Sequence, residues 1–370
     1  MRNRRLLAAF LIVIAFISLN ISPVLAAPPL RVTIDQAVAQ TDPTNTSPIN
    51  FTVVFSAATM DFANSDVTLS GSAGATSAIV TGSGTNYNVA VSGMTASGMV
   101  IASITAGVAH DASGTPNNPA TSRDNTVTYD ITFPAVTFDL RAGSDLGASN
   151  TDDLTNAASL VFDAVFNETI TGFASTDLAN NGSATGCVFT VGAASGLTYP
   201  VTVSFCSEGT LIIRLATGAI MDVVGNPNLQ IDGSVVTIDR TSPVISSVAP
   251  ATGAFITSIT TSSAVSYTLS EAMVSGAITM TWIGGTADSA SPHICTLTGT
   301  ALDQGLHSKL DLSNTAYACT VAQSLVSGSV YIFSFDGTDA AGQCQTAVMA
   351  HPGSQGNRTI NHSPNSTSSR

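Results

Sequence analysis

Charge is scarce in this chain: 9% of its 370 residues are Asp, Glu, Lys or Arg, and Lys309 is the single lysine. Aromatic residues make up only 6%, with Trp282 the lone tryptophan. So little charge argues against long solvent-facing helices, whose outer faces need polar residues and ion pairs. So few aromatics leave little from which to build a sugar platform. The bases behind the N-terminal segment, Arg31, Arg123, Arg141, Arg214, Arg240, Lys309, Arg358 and Arg370, stand tens of residues apart. No cluster among them could follow a phosphate backbone, so nucleic acid is not an expected partner. Hydrophobic residues, in contrast, reach 44%, and Val, Ile, Leu and Phe are plentiful enough for several small cores. The composition argues against disorder and reads as globular and β-rich.

The first 26 residues read as a secretory signal. Arg2, Arg4 and Arg5 precede an apolar run from Leu6 to Leu19, and Pro23-Val24-Leu25-Ala26 offers small residues for cleavage between Ala26 and Ala27. The run is shorter than the roughly 20 residues that span a bilayer. It holds no cysteine, which excludes a lipoprotein anchor there, and no second long apolar run follows. The expectation is an exported, extracellular protein with no membrane span in its mature form, associated with the cell surface. Removing three of the 11 bases with the leader leaves 8 against 24 acids, a formal charge of −16. An acidic excess of this size keeps a lysine-poor exported protein soluble.

The sequence repeats itself. Phe62-Ala-Asn-Ser-Asp66 matches Phe173-Ala-Ser-Thr-Asp177, and Tyr87-Asn-Val-Ala-Val-Ser matches Tyr199-Pro-Val-Thr-Val-Ser. Gly107-Val-Ala-His-Asp111-Ala-Ser-Gly114-Thr-Pro116 matches Gly218-Ala-Ile-Met-Asp222-Val-Val-Gly225-Asn-Pro227. A divergent third copy carries Ala264-Val-Ser-Tyr-Thr-Leu-Ser270 and Asp339-Ala-Ala-Gly342. A period of 105 to 120 residues is the size of a domain, too long for a solenoid. Within each copy the apolar spacing is two, as at Phe51, Val53 and Phe55, and Gly and Pro punctuate the runs. Leu154 to Phe166 admits a helical reading, but its alignment with the Phe51 run favours a strand. About seven short strands per hundred residues make an all-β, Greek-key sandwich. The expected organisation is a signal peptide (1–26), three sandwiches (31–130, 131–240 and a divergent 241–352) and a disordered tail (353–370). The connections at Ile131-Thr-Phe-Pro134 and Thr241-Ser-Pro243 are short and extended, as expected of a semi-rigid rod instead of a flexible string.

Pro48-Ile-Asn-Phe-Thr-Val-Val-Phe55, Phe62-Ala-Asn-Ser-Asp66-Val, Asp111-Ala-Ser-Gly114 and Asp239-Arg240-Thr-Ser-Pro243 resemble the bacterial Ig-like domains, tandem β-sandwiches of exported and surface proteins. The resemblance covers about residues 31 to 352. It implies tandem Ig-like sandwiches in a stalk, spacer or adhesive role, without catalytic residues to carry over.

Five cysteines in an exported chain invite pairing. Cys187 and Cys206 flank a hairpin-like pair of apolar runs, and Cys295 and Cys319 fall together in the third copy. Cys344 is left over, to stay reduced, replace a partner or join two chains. Zinc is disfavoured, since no Cys-x-x-Cys occurs and the five histidines are scattered. Catalytic signatures for an acyl-transfer elbow, a phosphate loop or a zinc protease are absent. His110-Asp111 falls in a turn whose sister reads Met221-Asp222, which speaks against a catalytic histidine. Trp282 sits in a strand pattern, where core packing is its expected role. Calcium is the remaining small partner, with Asp111, Asp130, Asp222 and Asp239 at module ends as ligand candidates, although Asp is also an ordinary turn residue.

These features predict a non-enzymatic exported spacer, stalk or adhesive module whose partners are a cell-envelope component, a polysaccharide or another surface protein. The alternatives are a secreted carbohydrate- or protein-binding module, or the non-catalytic N-terminal part of a larger secreted enzyme.

Overall fold

A computed structural model describes residues 28–251, 259 and 265–348. The leader with its Ala26–Ala27 cleavage site, Ala264 and the tail from 353 to 370 lie outside the described residues. Regular structure among the described residues is almost wholly strand, joined by three short 3-10 turns, and no helix is long and apolar enough to cross a membrane. The chain divides into two compact units, Met1–Ile131 and Thr132–Arg370.

The first unit holds two three-stranded antiparallel sheets around one core. One sheet runs Val32–Gln36, Ile49–Thr59, Ser77–Ser92; the other runs Val67–Ser70, Gly98–Ile104, Thr126–Tyr129. Alternation decides which residues turn inward. Ile49, Phe51, Val53 and Phe55 are buried while Thr52 and Val54 face out, as a two-residue period on a pleated strand requires. Each large side chain so removed from water contributes about 1.5–3 kcal/mol. Where strands give way to turns, glycine is needed. Gly71 sits at φ +104°, and a Cβ there would lie 2.1 Å from the Met99 carbonyl oxygen, so any other residue forces the backbone apart.

The second unit contains two cores. Around the first, a four-stranded sheet runs Val188–Val191, Thr198–Ser204, Ser159–Phe166, Val136–Leu140, and a second runs Leu178–Asn180, Gly209–Leu215, Ile231–Ile238, Leu154–Thr155. The segment 154–166 is therefore strand and not helix, as two strands in different sheets, Leu154–Thr155 and Ser159–Phe166; Leu160, Phe162, Ala164 and Phe166 point inward, and Val165 faces out. Around the other core, the strands Ile245–Ala249, Ser266–Leu269, Gly305–Ser308 form one sheet and His293–Thr296, Ser275–Gly285, Ser329–Thr338, Cys344–Val348 the next. Tyr267, Ile278, Met280 and Phe335 anchor it. Trp282 corrects the expectation of core packing: it is 37% exposed. Its strand bulges between Trp282 and Gly284 and loses its buried alternation from Thr281 onward, having run past the edge of the core.

The core of the first unit and the first core of the second contain matching devices. Phe55, Phe62 and Tyr87 meet edge to face with ring centres 5.1 to 5.9 Å apart. Phe166, Phe173 and Tyr199 do the same at 5.1 to 5.5 Å. Asn117, buried after Pro116, donates to Thr105 O and Asn118 O and accepts from the amides of Val108 and Ala109. Asn228, buried after Pro227, donates to Ala216 O and Leu229 O and accepts from Ile220 N. In both places a carboxylate closes the 3-10 turn, Asp66 on Ala63 N at 2.8 Å and Asp177 on Ala174 N at 2.7 Å.

Candidate functional site

Most of the polar side chains singled out in the sequence are occupied in shaping turns. Asp111 Oδ1 accepts the amides of Ser113 and Thr115 at 2.8 and 2.9 Å. Asp222 is more fully used: Oδ1 accepts three amides, from Val224, Gly225 and Asn226, and Oδ2 accepts Asn226 Nδ2. An Asp at the head of an Asp-x-x-Gly turn mimics a backbone acceptor for the amides that the turn leaves over. Asp130 follows the last strand of the first unit, where its amide donates to Thr44 O and its carboxylate accepts from Ser97 Oγ. His110 turns away from Asp111 toward Asp61, which receives both its ring Nδ1 contact and its amide at 2.7 Å.

One disulfide sits at strand ends and the other joins a strand to a loop. Cys187 and Cys206 bracket the antiparallel pair Val188–Val191 and Thr198–Ser204 and are bonded. Cys295 lies on His293–Thr296 and is bonded to Cys319, both with no exposed surface. Cys344 opens the final described strand, opposite Thr338.

Two constellations in the second unit were not singled out by the sequence. The first is a buried polar knot: Asp288 Oδ2 receives the Tyr331 hydroxyl and lies 2.6 Å from His293 Nε2, while Oδ1 accepts Ala290 N. The hydrogen bonds from Tyr331 and then His293 hold the Asp288 carboxyl down at about 2. An acid held below its unfolded value contributes stability that is complete above about pH 4 and is lost as the pH falls toward about 2. The expected result is that Asp288→Asn is destabilising at neutral pH and that its deficit against the native protein shrinks between about pH 4 and 2. Denaturant unfolding at a series of pH values checks it; a deficit independent of pH there refutes the assignment.

The second is a group of three carboxylates, Asp239, Glu271 and Asp339, with one oxygen of each within 4.8 Å of the others. Three local structures bring them together. Asp239 ends the strand Ile231–Ile238, held by its amide on Thr155 O, and its Oδ1 accepts Thr241 N. Glu271 follows Ser270, which is tied to the connecting segment by Val244 N on Ser270 Oγ and Ser270 N on Val244 O. Asp339 heads its own Asp-x-x-Gly turn, accepting Gln343 N on Oδ1 at 2.8 Å. That turn is docked on the loop after Val136–Leu140 by Ala148 N on Ala340 O. The close approach depends on Gly147, where a Cβ would stand 2.6 Å from the Ala340 oxygen. Burial first, and then the charges of Asp239, Asp339 and Glu208, push Glu271 up; burial does the same to Asp339. Asp239 was a sequence candidate. Glu271 and Asp339 were not, although Asp339 occupies the turn position of Asp111 and Asp222.

One further concavity, of about 290 Å³, lies over Ser275–Ala277, Asp336–Thr338 and Cys344–Thr346. It is walled largely by strand backbone, and its single acid, Asp336, is pushed up by burial.

Comparison of the chain with protein-family models finds no match, and a search of curated proteins finds none either.

Proposed function

We propose that this chain is a non-enzymatic exported protein of tandem Ig-like β-sandwiches that serves as a spacer, stalk or adhesive module at a bacterial surface. The observation that carries this reading is the matched set of internal devices around two separate cores. An aromatic triangle, a buried Asn after Pro that donates to carbonyls at matching positions, and an Asp-closed 3-10 turn recur in both. A chain that builds one scaffold repeatedly, and spends its turn carboxylates on backbone amides, fits a structural role better than a chemical one. The strand orders support the Ig-like reading as well: in the last core, three strands face a four-stranded sheet with the sequence-adjacent strands Gly305–Ser308 and Ser329–Thr338 in different sheets. Two disulfides agree with an oxidising destination.

Antibody labelling of intact cells, with the culture supernatant assayed in parallel, tests the proposal. Retention of the chain at the surface is expected. Release of the whole population into the medium overturns the stalk and leaves a soluble binder.

A further inference from the structure

The carboxylate triad of the second unit has a feature that clustering alone does not supply. Asp339 is 2% exposed, and its Oδ2 is buried with no hydrogen-bond donor. The equivalent acid in the sister turn, Asp222, satisfies both oxygens with four donors. A buried carboxylate oxygen costs far too much to leave bare, and such a group is normally paired or bound to a metal. Asp339 is surrounded by the wrong neighbours for pairing, because Asp239 and Glu271 are both acids.

The nearest base in sequence does not neutralise them. Arg240 donates its two terminal nitrogens to the carbonyls of Cys206 and Ala157. The ion pairs found among the described residues, His110–Asp61, Arg141–Asp163, Arg214–Asp232 and His293–Asp288, include none of the three acids. Carboxylates with oxygens within 4.8 Å of one another repel when ionised and are drawn together by a cation.

We propose that Asp239, Glu271 and Asp339 bind one Ca²⁺, which clamps the connection between the two cores of the second unit. The ligand set is all oxygen, which selects a hard cation over zinc. Three carboxylates exceed the one or two that Mg²⁺ takes while it keeps its waters, whereas Ca²⁺ accepts six to eight oxygens in a loose shell. The three acids come from the end of one core's last strand, the loop after the next core's second strand and a turn of its final hairpin. An ion between them therefore ties 239, 271 and 339 at a joint where the backbone hydrogen bonds Ser270 N on Val244 O and Ala148 N on Ala340 O also act. Water would complete the shell, which places the affinity in the range of about 0.1–1 mM seen in extracellular modules. This inference does not depend on the surface role proposed above.

The experiment is scanning calorimetry of the full purified chain in EDTA, in roughly 10 mM Ca²⁺ and in the same concentration of Mg²⁺. Ca²⁺ is expected to raise the unfolding temperature of the second unit by roughly 3–10 °C. Glu271→Gln, which removes a half-exposed charge and keeps the shape, is expected to weaken the Ca²⁺ response at least tenfold. Asp339→Asn provides a second variant with the same expectation. Absence of a Ca²⁺ response in the native chain, an equal response to Mg²⁺, or an undiminished response in Glu271→Gln overturns the proposal.

Discussion

Phe55→Ala and Phe166→Ala are expected to lower the stability of their respective cores by about 3–5 kcal/mol each, and by the same amount to within about 1 kcal/mol. Both rings are 2% exposed. Each meets one Phe and one Tyr edge to face at nearly equal distances, so deletion opens the same cavity and breaks the same two ring contacts. Core truncations of one chemistry usually scatter because neighbouring side chains collapse differently into the space left behind. Matching costs would mean that the two surroundings relax alike, which is the energetic signature of one scaffold used twice. Native-state hydrogen exchange read peptide by peptide assigns each loss to its own core. A difference of more than about 2 kcal/mol between the variants would break the equivalence.

Replacing Cys295 and Cys319 together by alanine is expected to cost the second unit about 3 kcal/mol, and the Cys187/Cys206 pair a similar amount. The bridges span 24 and 19 residues, so each removes comparable freedom from the unfolded chain. Alanine avoids burying an unsatisfied hydroxyl at Cys295 and Cys319, which have no exposed surface. The unit Met1–Ile131 contains no cysteine and should be indifferent to reductant, so the native chain supplies its own internal control. Equal loss of exchange protection in both units under reduction would contradict the prediction.

The extent to which the fold could be read from the sequence follows from which interactions are local. Period-two alternation placed Phe51, Val53 and Phe55 inward because a strand's pleat alone determines it. The alignment of Leu154 to Phe166 with that strand favoured extended backbone over helix, and the segment forms strands at 154–155 and 159–166. Alternation could not say where a core stops. Trp282 keeps the strand pattern in sequence while its strand has already left the apolar interior.

The carboxylates divide in the same way. Asp111 and Asp222 carry their roles within four residues, so the Asp-x-x-Gly pattern was sufficient to read them as turn-shaping. Asp239, Glu271 and Asp339 are separated by 32 and 68 positions and meet only through tertiary packing. The knot of Asp288, His293 and Tyr331 spans 43 residues between its acid and its phenol. Only the shared turn position of Asp339 was available as a signal, and it points to loop shape before it points to an ion.

The bond between Cys187 and Cys206 has a consequence for how separate molecules avoid one another. Val188–Val191 is the outermost strand of its sheet, short, uncharged and with Val188 half exposed. Such a border, with unmet amides and carbonyls, is a template on which a second chain can add itself. The sulfur link fastens the residue just before the border to the one beyond the end of its neighbour, which opposes peeling of the strand and its exchange with a copy in another molecule. Among many copies of the chain, that fastening would preserve solubility as much as folding, with clumping under reducing conditions as the outward sign of its loss.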